Sequence, residues 1–186
     1  MDFLIERVKE ILFSPVPTWR KIKEEEATRT SIIKEYLYYL VAVPVVATFI
    51  GRVFVGLPHW GLRVGFFRGL IWAVVAYVVY FVAIIISAAV INYLAPTFNA
   101  QKDSIAAFKL VTYSLTPYFV ASVFNIVPAI AALWLLGLYG IYLLHLGIPI
   151  LMECPEQKRL SYTVVSVIVI IVVMAVLLGL VGMILV

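Results

Sequence analysis

The sequence predicts an all-α membrane protein: a five-transmembrane-helix bundle preceded by an N-terminal amphipathic interfacial helix. Three observations predict it. Of 186 residues, 65% are apolar and only 13% charged, whereas an ordinary soluble domain is roughly 45–50% apolar. A chain of this length has too much surface for so little charge to cover it in water. Uncharged runs long enough to cross a bilayer recur along the chain, and the basic residues gather on one side of them.

The elements follow in order. In residues 2–13, DFLIERVKEILF, the apolar positions Leu4, Ile5, Val8 and Leu12 share a helical face, and acidic and basic residues occupy the other. Such a helix is too short and too charged to span, and is expected to lie in the interface as a membrane-surface anchor. Ser14-Pro15-Val16-Pro17 interrupts it. Thr18 is then placed to cap a second polar helix, whose Trp19 suits headgroup depth. Packing of both segments on the cytoplasmic end of the bundle is the alternative. Residues 1–31 are read as a cytoplasmic segment and 32–186 as the transmembrane domain.

A span needs roughly 20 residues to cross about 30 Å. Spans are expected at about 33–55, 69–95, 105–125, 128–152 and 160–186. The count rests on the charge-free stretch from Leu110 to Met152, 43 residues long. As one helix it would reach about 65 Å, more than twice the hydrocarbon thickness, so it must be two passes. Asn125-Ile126-Val127-Pro128 supplies the hairpin.

Five spans place the termini on opposite sides. With the N-terminus in the cytoplasm, eleven of the 14 Lys and Arg residues lie inside. Arg52, Arg63 and Arg68 lie outside, and all 10 acidic residues are inside. The positive-inside rule therefore predicts a plasma-membrane protein with its N-terminus cytoplasmic and its C-terminus outside. The partner implied by this basic face is a bilayer with anionic headgroups, not nucleic acid.

Chemistry-bearing constellations are absent from the sequence. Cys154 is the lone cysteine, and His59 and His145 are far apart, so neither a disulfide nor a metal site is expected. No nucleophile–base arrangement or phosphate-cradling loop stands out, and neither enzymatic activity nor a cofactor is expected. The third span, 109–125, is the most polar, with Tyr113, Ser114, Thr116 and Tyr118 around Pro117 and with Lys109 one turn inside. A proline there frees backbone carbonyls that nearby hydroxyls can satisfy, which makes these six residues the candidate groove or partner surface. Lys109 is expected to snorkel to the inner interface, and His145 to bond a neighbouring group as a neutral ring. Gly61, Gly65 and Gly69 form a GxxxGxxxG run, and together with Asn92 they are candidates for helix packing or self-association.

Three segments carry a family resemblance: FSPVPTWRKIKEEE (13–26), TYSLTPY (112–118) and LLHLGIPILMECPEQKRLSYTVV (143–165). Together they resemble the Yip domain family, five-span membrane proteins named for interaction with Ypt/Rab GTPases. Tyr113, Ser114, Leu115 and Pro117 match the family's Gly-Tyr-Ser-Leu-x-Pro signature, with Thr112 where glycine is typical. The acidic Gly-Pro motif of eukaryotic members is absent, KEYLYYLVAVP (34–44) standing in its place. The resemblance implies a prokaryotic member with the same fold, for which a Rab-type GTPase is not an expected partner. It implies a scaffold or adaptor in membrane organisation and partner recruitment, with other membrane proteins or a second copy as partners. The alternative is a transporter or channel for a small solute, ion or lipid lined by the third span.

Overall fold

The structure, a computed structural model, describes residues 2–56 and 64–185. Among the described residues every regular element is helical. Helices α1 (Asp2–Phe13) and α2 (Pro15–Glu24) precede a continuous helical run, Arg29–Val55, made of α3 (Arg29–Ile32), a π-helical stretch, α4 (Tyr38–Ile50) and a second π-helical stretch. Helix α5 (Phe66–Leu94) continues as a 3-10 turn to Phe98. Helices α6 (Ser104–Ser114) and α7 (Thr116–Ala121) run on through a 3-10 stretch to Ile126. An 11-residue 3-10 segment, Pro128–Leu138, leads into α8 (Tyr139–Leu151), and α9 (Glu156–Leu185) closes the chain.

Four of these helices are long and apolar enough to cross a membrane: Arg29–Val55, Phe66–Phe98, Ala132–Leu151 and Glu156–Met183. The segment 104–126 falls outside that set because its helix is interrupted at Leu115, which leaves two pieces each too short to cross. Helix α6 stops at Ser114 and α7 restarts with Pro117 in its first turn, where a missing N–H and fixed φ do no harm. The break thus falls where Pro117 removes the ladder donor. The hairpin is at Val127, whose extended backbone (φ −114°, ψ 101°) separates the two 3-10 stretches.

Segment 104–126 is nonetheless the axis of the bundle. Every residue from Ala106 to Ser114 is buried. Its start is fixed by Asp103, whose carboxylate accepts from the N–H groups of Ile105 (2.7 Å) and Ala106 (3.1 Å). Helix α5 packs on α9, α6 and α4, and α8 packs on α6, α9 and α2.

The Leu110, Ser114 and Tyr118 face, at i, i+4 and i+8, lies antiparallel on three glycines. A Cβ at Gly147 would come within 2.7 Å of Leu110 Cδ1, one at Gly137 within 2.8 Å of Tyr118 Cα, and one at Gly140 would collide with the Ser114 carbonyl. Only glycine lets backbones approach this closely.

The N-terminal pair departs from expectation in its start and its burial. Helix α2 begins at Pro15, not after Thr18, since a proline is well tolerated in a first turn. Thr18 lies inside it and donates to the Ser14 carbonyl (2.6 Å). In α1, Ile11 is fully buried and Leu4, Val8 and Leu12 pack partly buried against the core, while Ile5 is 49% and Phe13 82% exposed.

Candidate functional site

Three long side chains join the N-terminal helices to the middle of the bundle. Trp19 is fully buried. Its indole Nε1–H donates to the Leu143 carbonyl (3.1 Å), its ring meets Tyr113 edge-on (centroids 6.3 Å apart), and a Cβ at Gly147 would lie 2.8 Å from it. The expected headgroup anchor is therefore a plug in the bundle, because Gly147 leaves room for the ring and the Leu143 carbonyl accepts from its N–H. Lys109, 6% exposed, does not snorkel to solvent. Its ammonium donates to the carbonyls of Ile22 and Glu25, both at 2.7 Å. These are among the carbonyls that the end of α2 leaves unpaired, and a cation there also complements the helix dipole.

Arg7 is the third, 2% exposed. It pairs with Glu25 and, at 3.7 Å, with Glu10, and its guanidinium lies 5.2 Å from the Phe3 ring centre and 5.9 Å from that of Tyr113. Two carboxylates and two ring faces compensate the buried charge. Nothing in residues 2–13 distinguishes Arg7 from Lys9 as the buried cation. The periodicity puts both on the polar side, and only the position of Glu25 and Tyr113 separates them.

The candidate residues of segment 104–126 divide between helix neighbours. Tyr113 packs against Tyr36 with its ring tilted (4.6 Å between centres, 50° between planes), and Arg7 and Trp19 also approach it. The Thr116 hydroxyl meets the Tyr36 hydroxyl at 2.8 Å, and Tyr118 meets Tyr80 at 2.9 Å. Ser114, 3% exposed, has no hydrogen-bond partner for its hydroxyl. The five residues from Tyr113 to Tyr118 that were singled out with Lys109 thus point to several neighbouring helices without forming a single polar face. Beside Tyr36 and Tyr113 lies a half-polar cavity of about 270 Å³ walled by Phe3, Glu25, Glu26 and Glu35.

Of the glycine run, Gly69 is a close crossing, since a Cβ would come within 2.5 Å of Val53 Cγ2, while Gly65 faces open space and Gly61 lies outside the described residues. Gly51 was not anticipated, yet its Cβ would strike the Asn125 carbonyl. The Oδ1 of Asn92 is buried without a partner. His145 Nδ1 meets Thr163 Oγ1 at 3.0 Å. Cys154, 5% exposed, lies between spans, and burial together with the Glu156 carboxylate pushes its thiol pKa up.

The family model of the Yip1 domain matches residues 9–178, nearly the whole chain. The chain belongs to the Yip1 family. Among curated proteins, the inner membrane protein YohC of Escherichia coli K12 is 27% identical over 166 residues, covering 82% of both chains. The same protein from Escherichia coli O6:H1 matches equally. No solved structure matches. The Yip1-family chain is accordingly an integral, multi-pass membrane protein, and its similarity to YohC is to an inner membrane protein.

Proposed function

We propose that this Yip1-family protein is a non-enzymatic scaffold that presents its N-terminal helices at the cytoplasmic face of the inner membrane and recruits partners there. One observation carries the reading: α1 and α2 are clamped to each other and to the bundle by buried Arg7, Trp19 and Lys109, yet leave Ile5 and Phe13 uncovered. A helix held this firmly while exposing large apolar residues has the form of a presentation surface, toward lipid or toward a partner. The polar groups of the third span support a scaffold over a transport route, because Thr116, Tyr118 and Lys109 are each taken up in ties to other segments.

In this reading the third span makes the fifth crossing. Its 23 residues from Ser104 to Ile126 would reach about 34 Å as continuous helix, enough for the hydrocarbon. The N-terminus is then inside, as the distribution of basic residues favours.

A photoreactive residue in place of Phe13 tests the role in intact cells. A discrete protein adduct, lost when Lys109→Met loosens the clamp, is the expected result. Adducts with lipid alone, or adducts indifferent to Lys109, would count against recruitment.

A further inference from the structure

A second cavity, of about 340 Å³, lies away from the N-terminal helices, between the third span, the 3-10 entry to α8 and α9. Ser114, Trp134, Gly140, Leu144, Ile170 and Met174 are among the residues of its wall, which is almost wholly apolar. Its side is open, flanked by Leu138 (52% exposed) and Ile171 (57% exposed). Two of the membrane-crossing helices, Ala132–Leu151 and Glu156–Met183, supply most of the wall, so the opening faces hydrocarbon. Ser114 is ten residues from the start of α6, or about 15 Å along the helix, which puts the groove near the middle of a hydrocarbon layer about 30 Å thick.

Size and surroundings select the occupant. Water finds too few partners on such a wall, the Ser114 hydroxyl and the Trp134 indole N–H, since the Tyr118 hydroxyl is engaged by Tyr80. A helix from a second copy is too thick: one turn about 10 Å across and 5.4 Å long takes up more than roughly 400 Å³. A methylene is about the size of a water, roughly 30 Å³, so the cavity holds about a dozen carbons in file. Its floor is fixed by Gly137 and Gly140, where any side chain would strike Tyr118 or Ser114 and force the helices apart.

We infer that this lateral groove is a binding site for one acyl chain of a membrane phospholipid, a chain held between α9 and the signature residues of the third span and distinct from the mobile lipid around the bundle. The scaffold role is not needed for it, and either can fail without the other.

The test uses the full chain in vesicles of phosphatidylglycerol brominated at mid-chain carbons. Trp134 lines the groove, and the difference between the wild-type chain and Trp134→Phe isolates its fluorescence. Quenching of that difference signal should fall at least twofold in Ile170→Phe and in Met174→Phe, which fill the groove without adding an indole. Native mass spectrometry of the extracted protein should show one retained phospholipid per chain, reduced about tenfold in both variants. Ser114→Ala should change retention less than twofold, because a saturated chain offers its hydroxyl nothing. Retention and quenching unchanged in both filled variants would overturn the site. A tenfold loss in Ser114→Ala would overturn the hydrocarbon occupant in favour of a polar amphiphile, and a dimer dissociated by the filling substitutions would assign the groove to a second copy.

Discussion

Replacing Lys109 with methionine removes one charge and keeps nearly all of the stem, so it isolates the tie between α2 and the bundle. The ammonium satisfies two carbonyls at 2.7 Å in a site where the residue is 6% exposed. A hydrogen bond to a charged group is worth about 1.5–3 kcal/mol, and a buried carbonyl left bare loses about 1–3 kcal/mol. Removing the desolvation of the lysine itself offsets part of this. A net loosening of about 3 kcal/mol is therefore expected, confined to the docking of α2. With about 1.4 kcal/mol per factor of ten, the undocked population rises roughly 100-fold. Hydrogen exchange of the detergent-solubilised protein reads this directly: amides of residues 15–25 should exchange about 100-fold faster, with those of α9 unchanged. If exchange in α2 rises by less than about threefold, the ammonium is not what holds the helix down, and the clamp would rest on Trp19 and Arg7 alone.

Other predictions follow from the same contacts. Trp19→Ala should lower stability by about 3–5 kcal/mol, as loss of a fully buried aromatic does, and thermal unfolding in detergent checks this; an indole in headgroups would show little effect. Tyr36→Phe and Thr116→Val, singly and together, should give a coupling energy of about 0.6–1.7 kcal/mol, the range of interhelical hydrogen bonds in membranes. Gly51→Ala, which drives a methyl into the Asn125 carbonyl, should destabilise by about 1–3 kcal/mol, whereas Gly65→Ala should stay within about 0.5 kcal/mol. Cys154 should react slowly with maleimide at pH 7, because the thiolate is the nucleophile and both burial and Glu156 oppose its formation. The sign follows: the raised pKa moves the rise in rate to higher pH than for a free thiol. Gln157→Cys in a Cys154→Ala background, at an exposed site, should react fast and serves as the better probe of which side this loop occupies.

Hydropathy and charge, which are local and additive, made much of the molecule legible without its structure. The 65% apolar content allows only a bilayer as solvent, the uncharged stretch beyond Leu110 has to turn, and the turn is at Val127 beside the predicted Asn-Ile-Val-Pro. Pro117 announced the break in the third span for an equally local reason, the missing N–H. The amphipathic period of α1 was readable as well, but a period tells which face is apolar and not what covers it. Whether Leu4 and Val8 meet lipid or protein depends on residues more than a hundred positions away.

Tertiary structure alone decided the rest. Trp19 and Leu143 are 124 positions apart, Lys109 and Ile22 87, and no spacing rule joins them. The sequence made Trp19 and Lys109 look like interface residues because each carries one polar end on an apolar body, and in isolation the membrane surface suits that shape. In the folded chain a glycine at 147 opens room for the indole, and the end of α2 offers carbonyls to the ammonium, so burial leaves no polar atom of these two side chains unpaired. The glycine run that stood out in the sequence contributes one crossing at Gly69, while scattered Gly51 and Gly140 carry the closest contacts, each against a backbone carbonyl. A glycine matters where another backbone arrives, and that is set by how whole helices pack.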